Sequence, residues 1–259
     1  MVEAEFQGPW FWGIPIACIP GVCAVWSWWD DFGALSGGAG RYSWAMRCVV
    51  TAGPTFEPLD EVRRLTNFST GKLGAELARH LAERGHDTVL LLAETARWRG
   101  EGHPARVIPY STTASLREAL LNLRPEPVGA IFHAAAVSDF AFGQVWERAV
   151  DGTLTPASGG KLSTRAGTLM AELLPVPKLL PELRGWFPGA RVVGWKYEVS
   201  GTEVIALARR QLAECGTDAC IANGSAYGSG FGVVRPNQSG VVHCPDPASL
   251  YKALEEIAR

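Results

Sequence analysis

From residue 46 onward the chain alternates short apolar runs with segments whose leucines recur at helical spacing. The run 48–52 predicts a doubly buried strand. Leucines at every fourth position of 73–81 predict the buried face of a helix, with Ser69 or Thr70 as its cap and Gly85 after its end. Further strands are expected at 88–93, 128–137, 191–195, 219–222 and 241–244, and further helices at 115–123, 177–186, 204–214 and 247–258. This alternation predicts an α/β domain with a doubly wound, mostly parallel, Rossmann-like sheet.

Composition and charge exclude several classes of protein. Apolar residues make up 47% of the chain and charged residues 19%, which is typical of a globular domain. The net charge of -2 gives no electrostatic footprint for nucleic acid. No apolar run reaches the roughly 18 residues that span a bilayer, and the six cysteines form no Cys-x-x-Cys pair. We therefore expect a cytoplasmic protein with neither a nucleic-acid partner nor a membrane partner.

The first 45 residues differ from the rest. They hold six of the ten tryptophans and no Lys or Arg before Arg41. A secretory signal begins with a basic segment, but this stretch offers Glu3 and Glu5, and it lacks the period of an amphipathic anchor. We expect 1–45 to be an atypical extension outside the fold, Met46 to be the natural start, and 46–259 to be the functional domain.

The loops at the carboxyl ends of the strands are where ligands bind in such a sheet. Small residues follow the first strand, and a Ser-Thr-Gly sequence leads into the first helix. Small residues let backbone amides approach a phosphate, and the N-terminus of a helix favours an anion. The candidate nucleotide-binding residues in this segment are Gly53, Thr55, Ser69, Thr70 and Gly71. An ordinary capped turn is the alternative, because the segment contains neither Gly-x-Gly-x-x-Gly nor a P-loop sequence.

Residues 62–72, Val-Arg-Arg-Leu-Thr-Asn-Phe-Ser-Thr-Gly-Lys, resemble the signature loop of the phosphopantothenoylcysteine synthetase family, also called phosphopantothenate–cysteine ligases. Six more segments match that family in the same order: 51–55, 133–140, 160–163, 176–180, 194–198 and 221–223. Each segment alone is weak evidence, but seven in order are specific. The resemblance covers 46–259. Within the family, the sequence is more similar to the monofunctional, eukaryotic-like members.

The resemblance implies a ligase that joins 4′-phosphopantothenate to cysteine in coenzyme A biosynthesis. CTP or ATP would activate the carboxylate as an acyl-nucleotide, and the cysteine amine would then displace the nucleotide monophosphate. Mg²⁺ is the expected metal, with ligands that the sequence does not identify. Flavin is not expected, because 45 residues are too few for the flavin-binding domain that precedes this one in bifunctional members. A homodimer is expected, since the family dimerises through strands of a flap.

Three residues take catalytic roles in that resemblance. Asn67 matches the asparagine that handles the acyl-nucleotide, and Arg63 suits the substrate phosphate or carboxylate. Lys161 matches a flap lysine that serves the second half-reaction, and Ser158 begins its Gly-rich approach within an irregular stretch at 140–165. The structural alternatives are a local turn for Asn67, a solvated charge for Arg63 and an exposed loop lysine for Lys161.

Further positions of the resemblance belong to the nucleotide. Ala135 and Ala136 would be small against it, Asp139 would hold ribose or metal, and Trp195 would lie near the base. Sheet packing, a loop cap and core packing are the respective alternatives. The bacterial bifunctional type has two lysines where this chain has Gln211 and Cys215. Candidates for the replacement charge are Lys178, Arg209 and Arg210. The choice between CTP and ATP therefore stays open.

Two other functions stay open at this point. A nucleotide-binding regulatory protein without turnover is favoured by the missing lysines and disfavoured by Arg63, Asn67 and Lys161. A short-chain oxidoreductase would use the same fold, but no tyrosine here has a lysine four residues later.

Overall fold

The computed structural model describes residues 45–98, 106–157, 159–163 and 167–259. The expectations for the N-terminal extension, apart from Ala45, and for Ser158 lie outside these ranges. The helices are α1 Lys72–Glu83, α2 Thr113–Asn122, α3 Leu180–Trp186, α4 Val204–Cys215 and α5 Pro247–Ala258. The strands are β1 Arg47–Ala52, β2 Phe56–Pro58, β3 Arg64–Thr66, β4 Asp87–Ala93, β5 Arg106–Tyr110, β6 Val128–His133, β7 Phe140–Arg148, β8 Leu154–Pro156, β9 Thr168–Pro175, β10 Arg191–Tyr197, β11 Ala219–Asn223, β12 Phe231–Val234 and β13 Val242–Cys244. Within these ranges, no helix has the length and apolar character that a membrane span requires.

A central sheet has the strand order β13-β12-β11-β10-β6-β1-β4-β5. The strands from β11 to β5 are parallel, and β12 and β13 extend the sheet in antiparallel fashion. Read in chain order, the parallel strands follow the 3-2-1-4-5-6 order of doubly wound folds, in which the order reverses beside the first strand. The predicted fold class is confirmed, and the switch point lies between β1 and β6.

Two helical layers cover the sheet. One core cluster joins the sheet to Leu77 and Leu81 of α1 and to Leu250 of α5, and Leu73 packs against its edge. The other joins the opposite face to α2 and α3, through Leu116 among others. The helical spacing of leucines in the sequence therefore identified the buried face of α1 correctly.

The predicted cap of α1 is wrong. Gly71 is the N-cap, with φ +78, and no side chain caps the helix. That left-handed conformation favours glycine. The hydroxyls of Ser69 and Thr70 instead accept hydrogen bonds from the backbone N–H groups of Gly71 and Lys72, at 3.4 and 3.3 Å. At the other end Gly85 has φ +88 and follows the C-cap, as expected.

The stretch at 140–165 is more regular than the sequence indicates. β7 pairs antiparallel with β8 and with β9, and together they form a separate three-stranded sheet, the flap sheet. An irregularity in register falls between Phe142 and Val145. Glycine and charged residues inside β7 interrupt the alternation that would have predicted a strand. β5 and β12 were also missed, since β5 contains Pro109 and β12 is four residues long.

Candidate active site

β1 and β6 remain joined beyond their ends, at the switch point of the sheet. Pro54 and Ala136 form an isolated parallel bridge. The N–H of Thr55 donates to the carbonyl of Ala136 at 3.2 Å, and the N–H of Ala136 donates to that of Gly53 at 3.0 Å. Two of the loops that the sequence assigned to the nucleotide are therefore in direct contact.

The N-terminus of α1 packs against β1 through glycines. A Cβ atom on Gly71 would lie 3.2 Å from Cα of Gly53, and one on Gly74 would lie 2.8 Å from Cβ of Ala52. Gly53 itself has φ +91. In a dinucleotide-binding fingerprint, glycines allow the helix to approach the strand closely. Gly53, Gly71 and Gly74 allow the same close approach here, although their spacing in the sequence differs from that fingerprint. The first turn of α1 accordingly presents its N–H groups beside the switch point, where an anion would be stabilised.

Buried hydroxyls hold the loop after β1 in place. The Tyr110 hydroxyl donates to the carbonyls of Ala52 and Gly53, at 2.9 and 2.8 Å, and burial raises its pKa. Thr55 is 0% exposed, and its Oγ1 accepts from the N–H of Ser138 at 2.8 Å and from the hydroxyl of Thr113 at 3.3 Å. The Thr55 oxygen is therefore engaged within the fold, between the loop after β1 and the end of β6.

Asn67 connects the signature loop to the end of β6. Its Nδ2 donates to the carbonyls of Ala136 and Val137, at 3.0 and 3.3 Å, across 69 and 70 residues of sequence. The amide therefore makes no merely local turn. These contacts orient the side chain beside the two alanines assigned to the nucleotide, and the residue is exposed.

A buried histidine supports the same loop from the other side. Nδ1 of His133 lies 3.0 Å from Oγ1 of Thr51, and that oxygen accepts from the N–H of Ala135 at 3.1 Å. Burial lowers the pKa of His133 to about 4, so the ring is neutral at neutral pH. The sequence analysis did not single out His133, although a histidine that ends an apolar strand was a visible signal. Ala135 is half-buried and its backbone is fixed by this pair.

Asp139 and Lys178 form an ion pair. Nζ of Lys178 lies 3.1 Å from Oδ1 of Asp139, and both side chains are exposed. Burial raises the pKa of the Cys215 thiol, and the Lys178 ammonium opposes that shift. Lys178 therefore lies within electrostatic reach of a position where the bacterial type has a lysine.

The other candidate cations are engaged elsewhere. Arg209 donates to the carbonyls of Gln238 and Ser239, at 2.8 and 2.6 Å. Arg210 pairs with Glu214 of its own helix at 3.6 Å. Nε2 of Gln211 donates to the Trp195 carbonyl at 3.2 Å. Among the three candidates, only Lys178 pairs with another residue assigned to the nucleotide.

Two neighbouring strands end in buried polar atoms without a hydrogen-bond partner in the described part of the chain. These atoms are Nε1 of Trp195 on β10 and Oδ1 of Asn223 on β11. Trp195 packs against the core cluster on the α1 side, and Asn223 follows by two residues Ile221, which belongs to that cluster. Because side chains alternate along a strand, both point to the face that carries α1. An indole donor and an amide acceptor thus lie on the face of the sheet that α1 covers.

Residues 160–162, here called the flap loop, contact residues 60–63 at the start of the signature loop. Arg63 donates from Nη2 to the carbonyl of Leu162 at 2.9 Å and pairs with Asp60. The N–H of Glu61 donates to the carbonyl of Gly160 at 2.9 Å. Lys161 lies between these contacts and is exposed. Two predicted catalytic residues, Arg63 and Lys161, are therefore brought together by Asp60, which the sequence analysis missed.

Comparison with known families agrees with this geometry. Residues 45–245 match the family described as the DNA/pantothenate metabolism flavoprotein C-terminal domain. The chain belongs to this family. The resemblance inferred from the signature loop is therefore confirmed.

Individual relatives extend the comparison. The coenzyme A biosynthesis bifunctional protein CoaBC of Thermococcus kodakarensis is 31% identical over 188 residues, which are 71% of this chain and 42% of that protein. This chain thus spans less than half the length of that relative. A DNA/pantothenate metabolism flavoprotein from Streptococcus pneumoniae is 25% identical, with a TM-score of 0.70 over 82% of this chain and 97% of its own. A Cab2 variant in complex with phosphopantothenate-cysteine shares the fold, with a TM-score of 0.61 and 20% identity over 82% of this chain and 87% of its own.

Proposed function

We propose that this chain is a ligase that joins 4′-phosphopantothenate and cysteine in coenzyme A biosynthesis. The observation that carries the proposal is the meeting of three parts at one edge of the sheet. These are the α1 N-terminus packed on Gly53, the Asn67 amide over the Ala136 carbonyl, and the Lys161 loop tied to Arg63. The coenzyme A biosynthesis relative supports it, although this chain spans only 42% of that protein.

The proposed chemistry has two steps. A carboxylate oxygen of 4′-phosphopantothenate attacks the α-phosphorus of the nucleotide, and the bond to the pyrophosphate leaving group breaks. The cysteine amine then attacks the acyl carbon, the carbon–oxygen bond to the nucleotide breaks, and the amine loses a proton. Both steps bring anions together, so catalysis depends on charge stabilisation and positioning. Neither step transfers electrons, and the proposal therefore assigns no flavin to this chain.

The nucleotide is assigned to the switch point. The first turn of α1, with Ser69, Thr70 and Gly71 before it, would face the phosphates. Trp195 and Asn223 would take the base, since each has a buried polar atom that lacks a partner among the described residues. The Trp195 indole N–H could donate to a ring nitrogen of the base, and the Asn223 oxygen could accept from its exocyclic amine. Cytosine and adenine each carry both groups side by side, so CTP and ATP both fit.

Mg²⁺ would bind together with the phosphates of the nucleotide. The described residues hold no group of three or more His, Cys, Asp or Glu side chains that would cage an ion. Asp139 is an exposed carboxylate beside the nucleotide loop, and its partner Lys178 is equally exposed. Mg²⁺ commonly binds through one or two carboxylates, substrate phosphates and water. Asp139 would hold the ion in this way, and the ion would neutralise charge on the triphosphate.

The proposed catalytic residues lie at this same edge of the sheet. Asn67 would orient the acyl-nucleotide. Arg63 would bind the substrate phosphate or carboxylate, and Lys161 would act in the second step. Thr55 and Gly53 would serve by holding the loop rather than by side-chain contact.

A homodimer formed through the flap sheet is also proposed. That sheet exposes several large apolar side chains: Phe140, Leu154, Met170, Leu173 and Leu174. Exposed large apolar residues on a small sheet favour burial against a second surface. The proposed location of the enzyme is the cytoplasm.

The deciding experiment is pyrophosphate release by the full chain with 4′-phosphopantothenate, cysteine and Mg²⁺, with CTP and ATP tested in parallel. We expect release with at least one nucleotide that depends on phosphopantothenate, and a phosphopantothenoylcysteine product that depends on cysteine. Nucleotide binding without pyrophosphate release from either nucleotide would instead identify a regulatory protein of the same fold.

A further inference from the structure

Asp60 lies two residues before the signature loop, and its carboxylate makes several hydrogen bonds. Its Oδ1 accepts from the N–H groups of Val62 and Arg63, at 2.9 and 2.8 Å. Its Oδ2 accepts from Nε of Arg63 at 2.9 Å and from the N–H of Leu162 at 3.1 Å. Although the residue lies in a loop, its side chain is only 2% exposed. The Arg63 guanidinium and these backbone donors hold the pKa of Asp60 well below its usual range.

The contacts of this loop fall on both sides of Lys161. Before it, the Gly160 carbonyl accepts from the N–H of Glu61 at 2.9 Å. After it, Leu162 donates to Asp60 and accepts from Arg63 at 2.9 Å, and its own side chain is buried. The backbone around Lys161 is therefore held at three points while the lysine side chain stays exposed.

This arrangement reduces the conformational entropy that the Lys161 segment would lose when substrate binds. The approach to Lys161 contains two glycines, and Gly159 has φ +130, so the free segment would sample many conformations. Hydrogen bonds to a charged group are stronger than those between neutral groups. A buried carboxylate that takes the Leu162 N–H is thus well suited to restrict the segment before substrate arrives.

We propose that Asp60 is a positioning residue for Lys161: it fixes the flap backbone directly through the Leu162 N–H and indirectly by orienting Arg63 towards the Leu162 carbonyl. Asp60 acts through Lys161 and does not touch the reacting atoms. The inference rests on the proposed function for its catalytic consequence, but its structural part concerns only residues 60–63 and 160–162.

The first test is hydrogen exchange on the full chain, with Asp60→Asn compared with wild type. We expect the amide of Leu162 to exchange about tenfold faster or more in the variant, as the loss of a charged acceptor implies. Amides of β1 should exchange as in wild type, which shows that the fold is intact. Asp151→Asn is the matched control, because Asp151 accepts from the N–H of Thr153 in an exposed turn of the flap sheet and has no contact with Leu162. Equal protection of Leu162 in wild type and Asp60→Asn would overturn the proposal.

The second test separates positioning from general damage. In the ligase assay we expect Asp60→Asn to lower the rate of cysteine-dependent product formation by tenfold or more. Pyrophosphate release in the first step is measured separately, because Asp60 also orients Arg63, which is assigned to the substrate. In a Lys161→Gln background, Asp60→Asn should add little, because the two residues act on one step. Fully additive losses would overturn the proposal. If the wild-type chain releases no pyrophosphate, the proposed function fails, and the exchange comparison still decides whether Asp60 holds the flap.

Discussion

Thr51 and His133 lie opposite each other on β1 and β6, and the hydroxyl of one is 3.0 Å from Nδ1 of the other. Burial lowers the pKa of His133 from its ordinary value of 6.5 to about 4. Between these two values the unfolded chain binds a proton that the folded chain does not, so acid favours unfolding in this range. A shift of this size corresponds to about 3 kcal/mol at pH 4.

We therefore expect His133→Gln to flatten the dependence of the free energy of unfolding on pH between 4 and 6.5. Urea unfolding at four or five pH values would measure it. Burial also lowers the pKa of His86, but His86 is present in both proteins, so the difference between them isolates His133. Identical slopes for wild type and variant would show that His133 is not held neutral by burial.

Replacing Asn67 should remove activity without loss of stability. Its amide protons bond to the carbonyls of Ala136 and Val137, but the residue is exposed, so Asn67→Ala should cost at most about 1 kcal/mol of folding free energy. Loss of a positioned amide at a reacting centre lowers turnover by roughly 100-fold to 1,000-fold. Cysteine-dependent product formation and thermal unfolding would be measured side by side. Asn122→Ala, at the exposed end of α2, is the control. Near-normal turnover in Asn67→Ala would remove our main catalytic assignment.

Gly74 should tolerate no side chain. A Cβ atom there would lie 2.8 Å from Cβ of Ala52 and 3.1 Å from the Thr51 carbonyl, and backbone cannot give way cheaply. Overpacking of this kind costs about 1–3 kcal/mol, which exceeds the roughly 1 kcal/mol gained from alanine's helix propensity. Gly74→Ala should lower the urea midpoint.

Gly185→Ala is the matched control, because a Cβ atom on that glycine of α3 would meet nothing within 4 Å. It should be neutral or stabilising. If Gly74→Ala is as stable as Gly185→Ala, the close approach of α1 to β1 is not a constraint on the sequence.

The flap sheet should determine the oligomeric state. Leu173 is 49% exposed on β9, beside other exposed apolar residues. A charge placed in a buried apolar interface is costly, so Leu173→Glu should convert a dimer into a monomer, measured by light scattering at micromolar concentration. Val242→Glu is the control, since Val242 is 53% exposed on β13, at the edge of the central sheet. A wild-type monomer would contradict the proposed dimer.

Local pattern predicted the central sheet and its helices well. Leu73, Leu77 and Leu81 repeat at the spacing of α1, and all three face the core or its edge. The cap of α1 was missed because Ser69 and Thr70 are preferred cap residues, whereas the close approach of Gly71 to Gly53 depends on tertiary packing. β7 and β9 were missed because they pair with each other away from the main core, so their side chains show no regular burial.

The sequence predicted several residues of the candidate site, but not the contacts between them. Asn67, Arg63 and Lys161 came from a resemblance to a known family, and no local pattern identifies them. The partner of Asp60 is Leu162, 102 residues later, and no propensity or spacing predicts such a pair. Thr55 was chosen as a hydroxyl in a ligand-binding loop, and no local pattern predicts its hydrogen bonds to Ser138 and Thr113.

The connection between β1 and α1 carries Gly53 at one end, Gly71 at the other and Asp60 between them. In this chain the glycines proposed to face the phosphates and the anchor of the Lys161 loop therefore belong to one continuous stretch of backbone. Any coupling between two sites on one such stretch is reciprocal. By whatever factor an ordered Lys161 loop raises the affinity for nucleotide, bound nucleotide stabilises the ordered loop by the same factor.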